Sequence, residues 1–312
     1  MSLHKKIGQF ALVAFCSYAT PLYSQSGKLH VLKINKPQQL QQYFKYTGND
    51  IPLISGHRGG PDKGYPENSI EAMAHSLQYT PATFEIDPRL TKDSVVVLLH
   101  DDSLDRTTTG TGKLRDHTWE EVKKLQLKDV EGKVTPYRIP TLEEAIIWAK
   151  GKTVLILDKK DVPLATTARL IKKHKAEAWV MITVHNAKEA KFYYDDNKNV
   201  MFEAFVKTKK ALEEYEKAGI PWQQIMAYVG PHDKPENKEI FDLLHQRGVM
   251  CMISTAPIYD KLPTAEERAK AYAQIIRNGA DVIEADRAIE AAAAIRSLAP
   301  ANSAKAKYFR KK

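Results

Sequence analysis

Glu85 and Asp87 stand two residues apart at the end of the run ATFEID. In a strand that spacing points both carboxylates to one face, because side chains alternate with a period of two. Converging carboxylates repel, and a hard divalent cation, Ca2+ or Mg2+, relieves the repulsion; it can also hold a phosphate oxygen as a Lewis acid. Asp158, closing TVLILD, is placed to add a third carboxylate. No cluster of cysteines and histidines has the spacing of a structural zinc site. His57 follows the run IPLISG and His100 follows VVVLL. As a pair they suit phosphodiester cleavage, one imidazole removing a proton from the attacking hydroxyl and the other donating one to the leaving oxygen. Arg58 and Lys160 could neutralise phosphoryl oxygens, arginine as a fork and lysine as a point charge. Taken singly, each residue has a plainer reading: Glu85 and Asp87 as charges paired with Arg or Lys, each histidine as a satisfied polar side chain. Their shared position at the carboxyl ends of apolar runs favours a site, since that is where barrel enzymes carry reactive groups.

The elements that must position these residues repeat along the chain. Short, nearly continuous apolar runs span 51–57, 82–87, 153–158, 178–185, 199–206, 224–230, 249–255 and 281–286. Such runs are buried on both faces, as parallel sheets require. Segments with helical spacing alternate with them: NSIEAMAHSLQY, TLEEAIIWAK, ATTARLIKKHK, AKEAKFYYDD, KKALEEYEKAG, ENKEIFDLLHQRG, TAEERAKAYAQIIRNG and AIEAAAAIRSL. Asn68, Thr141 and Thr264 suit N-caps, Glu144 completes a capping box with Thr141, and Gly219, Gly248 and Gly279 follow last helical turns. Eight strands alternating with eight helices predict a (β/α)8 TIM barrel over 51–300. After the second strand, TKDS should turn a hairpin into the extra strand VVVLLHD, and about 103–140 should form a small insertion over the barrel mouth. Residues 25–50 read as a helix and linker outside the barrel, and 301–312 as a basic tail.

Lys5 and Lys6 precede a mostly apolar run from Ile7 to Ala19 and then small polar residues, the pattern of a signal peptide over 1–24 with cleavage near Ser24 or Gln25. That run is shorter than the ~20 residues of a membrane span. A lipid-modified Cys16 is the rival reading, and the bulky Phe15 before it argues against it. The expected location is therefore periplasmic or secreted. Cys251 would then stand alone in the mature chain, so no internal disulfide staples it, and in VMCMIS it reads as a small buried hydrophobe. The formal charge of +9 falls to +7 when Lys5 and Lys6 leave. The lysines are scattered over helices without aromatic interleaving, which argues for a solvated surface, not a nucleic-acid site, and suits a small phosphodiester substrate. No oligomeric state is legible.

The linked strings HRGG, PENSIEA, FEIDPRLTKDSVVVLLHDDSLDRTTTGTG and IPTLEEA, in this order and spacing from about 51 to 160, resemble the signature series of the glycerophosphodiester phosphodiesterase family. The later strands, ending in GADVIEAD, are compatible with it to about 290. The resemblance implies His57 and His100 as the acid/base pair, Glu85 and Asp87 as metal ligands, Arg58 near the substrate phosphate, and Glu67 and Asn68 close to the site. Where such enzymes carry Glu-x-Lys, this chain has Asp158, Lys159 and Lys160, one methylene shorter in reach. Glu203 is an alternative third ligand or a buried structural residue. Asp101, beside His100, and His185 and Asp286, at strand ends, either line the site or support it. VMCMISTAP stands where the family often carries a tryptophan, which leaves substrate preference open. The implied reaction is cleavage of a glycerophosphodiester into sn-glycerol 3-phosphate and an alcohol. Lysophospholipids, glycerophosphoinositol or a polyol-phosphate polymer are alternative substrates, and an exported phosphate-ester binding protein without turnover is the non-catalytic alternative.

Overall fold

The structure is a computed structural model and describes residues 28–312. The signal-peptide segment 1–24 and Cys16 lie outside the described residues. Eight parallel strands close into a barrel in chain order: β1 Leu53–Gly56, β2 Thr83–Ile86, β3 Leu155–Leu157, β4 Val180–Val184, β5 Met201–Phe205, β6 Ile225–Gly230, β7 Cys251–Ser254 and β8 Val282–Ala285, which pairs back onto β1. A helix follows each strand: Ile70–Tyr79, Leu142–Ala149, Leu164–His174, Ala187–Asp196, Lys209–Lys217, Asn237–His245, Ala265–Arg277 and Ala288–Ile295. The fold is the predicted TIM barrel with its insertion after the second strand. The apolar runs serve two cores at once. Phe84, Ile182, Phe202, Ile253 and Ile283 pack outward against the helices, while Ile156, Met181, Met201, Met226, Met252 and Val282 fill the barrel interior. The strands end earlier than the apolar runs, so His57, Asp87, Asp158 and His185 stand just beyond them on the carboxyl rim.

Thr141 and Thr264 cap their helices through capping boxes with Glu144 and Glu267. Asn68 does not cap the first helix. Ser69 does, accepting from the Ala72 N–H at 3.1 Å, which leaves the Asn68 side chain free for the site. The insertion opens with the expected hairpin, Pro88–Leu90 against Val96–Leu98, and folds around a small core of its own that includes Leu104, Leu114, Val122 and Leu127.

Both ends of the described chain are tied to the amino-terminal end of the barrel. The short helix Pro37–Tyr43 delivers Leu40, Tyr43 and Phe44 into the interior core, so it seats against the barrel instead of lying apart from it. Residues 301–312 form no loose tail: Phe309–Lys311 pairs antiparallel with His30–Leu32, and Lys305 is buried with its Nζ donating to the Tyr43 and Lys45 carbonyls at 2.6 and 2.7 Å. A buried ammonium is held only when its donors are filled, and Asp50 completes the set at 3.2 Å. No described helix is long and apolar enough to cross a membrane.

Candidate active site

Past β1 the chain turns through three successive left-handed residues, Arg58 (φ 50°), Gly59 (φ 84°) and Gly60 (φ 66°). Glycine is needed at the third: a Cβ on Gly60 would lie 2.9 Å from Ser76 Oγ. Arg58 adopts a conformation that costs an L-residue roughly 1–2 kcal/mol. Two hydrogen bonds hold it there, its N–H donating to Glu85 Oε2 at 2.7 Å and its carbonyl accepting from the Asn68 N–H at 2.7 Å. The turn therefore brings the first strand's rim to the carboxylates of the second.

Glu85, Asp87 and Asp158 each offer one oxygen within 4.8 Å of the others. Asp87 is fixed by Asn68, whose Nδ2 donates to Asp87 Oδ2 at 2.6 Å and whose Oδ1 accepts from the Asp87 N–H at 2.9 Å. Among the described residues Asp87 Oδ1 has no directed hydrogen bond, and the Lys160 ammonium lies 3.0 Å away. Lys160 also reaches Asp158 Oδ2 at 2.5 Å, and His185 Nε2 lies 3.6 Å from Asp158 Oδ1. Burial pushes the Glu85 carboxyl well above the usual range, and the charges of Asp87, Glu284 and Asp158 push it further. Burial also works against an ionised Asp158, but His185 and Lys160 outweigh it and hold that carboxyl at about 2. Two buried carboxylates and the half-buried Asp158, with one lysine among them, carry more negative charge than they balance. That donor set fits a hard divalent cation.

The histidines approach from two sides. His57 Nδ1 is 2.7 Å from Asp286 Oδ1, which makes Nδ1 the donor and leaves Nε2 as the nitrogen available to a ligand. Asp286 is itself anchored: its N–H donates to Asp260 Oδ2 at 2.7 Å, and Tyr272 donates to Asp260 Oδ1 at 2.8 Å. Burial alone would lower the His57 pKa. The Asp286 hydrogen bond and the charges of Glu284 and Asp286 outweigh it and raise the pKa above its ordinary value. His100 Nδ1 lies 2.8 Å from Asp101 Oδ1. Arg106 forks onto Asp101 at 2.6 and 3.0 Å and onto Glu67 at 2.8 and 2.8 Å, and it holds the Asp101 carboxyl far below the usual range. Both imidazoles line one open cleft of about 1200 Å3 at the carboxyl rim, together with Arg58, Glu85, Asp158 and Lys160.

Residues 57–256 match the glycerophosphoryl diester phosphodiesterase family. The chain belongs to that family. A glycerophosphoryl diester phosphodiesterase of known structure from Parabacteroides distasonis is 61% identical, with a TM-score of 0.90 and coverage of 91% of this chain and 100% of that one. A glycerophosphodiester phosphodiesterase from Caldanaerobacter subterraneus is 40% identical over 105 residues, 33% of this chain and 43% of the relative. The match thus spans less than half the length of that curated relative. A phosphodiesterase from Oleispira antarctica, solved with its product sn-glycerol-3-phosphate, shares the fold at 20% identity and a TM-score of 0.58, covering 79% of this chain and 97% of that one.

Within this family member, Glu67, Glu203 and Asp286 also line the cleft. Asn68, Asp87, Asp101 and His185 do not line it and act on it through the contacts above. Sequence reasoning missed three residues. Arg106 lies in LDRTTTGTG, whose threonines and glycines read as turn formers. Asp260 has no local signal. Glu284 had one, since it precedes Asp286 by two residues on a strand and so shares its face.

Proposed function

We propose that this chain hydrolyses glycerophosphodiesters to sn-glycerol 3-phosphate and an alcohol, with His57 and His100 as the acid/base pair. One observation carries the reading: two imidazoles, each braced by a carboxylate, line the same cleft as Glu85 and Asp158, whose oxygens cluster with one of Asp87. Glu85, Asp87 and Asp158 would hold one divalent cation, Ca2+ or Mg2+, which when bound supplies Lewis-acid neutralisation of a phosphoryl oxygen. Arg58 faces the cleft and adds a fork of donors for the phosphate. Lys160 lies against both Asp87 and Asp158, helps keep Asp158 ionised, and supplies a second positive charge. His57, kept protonated to higher pH by Asp286, gives its proton to the leaving alcohol oxygen. His100 takes the proton of the attacking hydroxyl, either water or the substrate's own neighbouring hydroxyl. In the latter case a cyclic phosphate forms first, and the imidazoles exchange roles when water opens it.

Release of glycerol 3-phosphate from glycerophosphocholine, followed with and without a chelator, tests the reading. Turnover should vanish with the chelator and return on adding Mg2+ or Ca2+. Chelator-insensitive turnover contradicts the cation assignment, and no turnover with added cation contradicts the substrate. We also propose export, supported by Lys5, Lys6 and the apolar run to Ala19. A mature chain whose mass still includes Lys5 contradicts it.

A further inference from the structure

A second group of metal-ligating side chains lies at the opposite end of the barrel from the cleft. His245 closes the helix Asn237–His245, Cys251 opens β7 and Asp281 immediately precedes β8, so the three meet where strands begin. Each offers one ligating atom within 4.8 Å of the others. The fold holds all three in place. The Cys251 N–H donates to Asp281 Oδ2 at 2.7 Å, and the Asp281 N–H donates back to the Cys251 carbonyl at 2.8 Å. His245 Nε2 is 2.8 Å from the same Oδ2. Tyr46 stacks on the His245 imidazole, with ring centroids 3.6 Å apart and planes within 4°. Hydrogen bonds and packing of this kind are what orient metal ligands.

A separate observation points to a ligand. A cavity of about 190 Å3, lined by Tyr46, Asp50, His245 and Asp281 among others, opens beside the group. A water takes up roughly 30 Å3, so the cavity gives an ion a route in and a solvent molecule to bind. The plainer reading is an ion pair of His245 with Asp281, and it leaves the thiol unexplained. Cys251 Sγ makes a weak contact with the Val249 carbonyl at 3.9 Å. Burial holds that thiol in its neutral form, and a coordinated divalent ion would deprotonate it outright. Sulfur, imidazole nitrogen and carboxylate oxygen together are the donors of a borderline-soft ion, unlike the all-oxygen group at the rim. Ligand atoms in a tetrahedral zinc site stand about 3–4 Å apart, so shifts of about 1 Å or less would close this group on an ion.

We propose that His245, Cys251 and Asp281 form a second metal site, selective for Zn2+ or a similar late first-row ion, with solvent from the cavity as the fourth ligand. On binding, the Cys251 thiol gives its proton to solvent and His245 coordinates through Nε2, its ring proton resting on Nδ1. The ion ties the end of one helix to the starts of two barrel strands. The site does not depend on the phosphodiesterase reading.

The test uses the untagged, full-length Cys16→Ser protein, in which Cys251 is the sole thiol, with Mg2+ in excess to occupy the rim carboxylates. Stoichiometric Co2+ should produce a near-ultraviolet thiolate-to-metal charge-transfer band and the intense visible bands of a four-coordinate ion, and Zn2+ should bleach both. The charge-transfer band reports Cys251 whether or not the rim group binds Mg2+. Adding Cys251→Ala should abolish it. Cys251→Ala, His245→Gln and Asp281→Asn should each weaken Zn2+ binding at least about 10-fold by calorimetry. Absence of the band in the protein that retains Cys251 overturns the site even if the variants do not fold, and leaves His245 and Asp281 as an ion pair. A folded His245→Gln or Asp281→Asn protein with unchanged Zn2+ affinity overturns it too.

Discussion

Replacing Asn68 by alanine removes the brace that fixes the second carboxylate of the proposed cation site. Asn68 is 1% exposed and makes two hydrogen bonds with Asp87, donating to Oδ2 at 2.6 Å and accepting from its N–H at 2.9 Å. The first is charge-assisted, worth about 1.5–3 kcal/mol, and losing the second leaves a buried N–H unsatisfied at about 1–3 kcal/mol. Asn68 also has φ 57°, a conformation asparagine tolerates better than alanine, for which the left-handed region costs roughly 1 kcal/mol or more. Together these give a loss of about 3.5–7 kcal/mol. For a protein of this size that corresponds to a fall in Tm of roughly 6–15 °C. Differential scanning calorimetry with and without Mg2+ reads both halves of the argument, because a less fixed Asp87 should also shrink the stabilisation that the cation gives. An Asn68→Ala protein within about 1 kcal/mol of wild type, and equally stabilised by Mg2+, would refute the assignment of Asn68 as the brace of Asp87.

His57→Ala and His100→Ala should each reduce kcat for glycerophosphocholine at least ~100-fold, the usual contribution of a general acid or base, while circular dichroism stays native; near-normal turnover in either removes that residue from the pair. Asp286→Asn should lower the His57 pKa, since Asp286 and Glu284 raise it against burial, so the limb of the kcat/KM profile that belongs to His57 should move to lower pH. The same sign applies to stability: a raised histidine stabilises at low pH, and that contribution is lost as pH climbs through the folded-state value. The variant should show a flatter loss of Tm across that interval, and an unmoved profile counts against the pairing. Asp158→Asn should weaken Mg2+ or Ca2+ binding at least ~10-fold by calorimetry, the order expected when a ligand or its close support is lost; unchanged affinity would shift the third ligand elsewhere.

The barrel was legible because its strands are apolar on both faces, a pattern that two cores enforce: Ile283 outward against helices, Val282 inward into the barrel interior. The site was legible where its residues lie close in sequence, as Glu85 and Asp87 do. Closure of the barrel brings together what no spacing reveals. His57 meets Asp286 across 229 positions, and Lys305 meets Tyr43 across 262, which is why the last residues read as a basic tail and are instead held in the fold. Asn68 was misread as a helix cap for a related reason. Asparagine caps helices and also tolerates the left-handed backbone, and only the fold decides which property is used.

The cleft's carboxylates also link the cation to the fold itself. Burial and mutual repulsion raise the Glu85, Glu203 and Glu284 carboxyls above their ordinary values. An acid whose pKa is higher folded than unfolded binds more protons in the native state, so stability falls as pH rises from the unfolded value through the folded one. Without a cation this cluster therefore weakens the native state towards neutral pH. A divalent ion at Glu85, Asp87 and Asp158 opposes that trend twice, by neutralising charge and by mass action, which at 100 times its Kd is worth about 2.7 kcal/mol. The cation's effect on Tm should accordingly grow from mildly acidic to neutral pH, a slope that a purely structural surface ion would not produce.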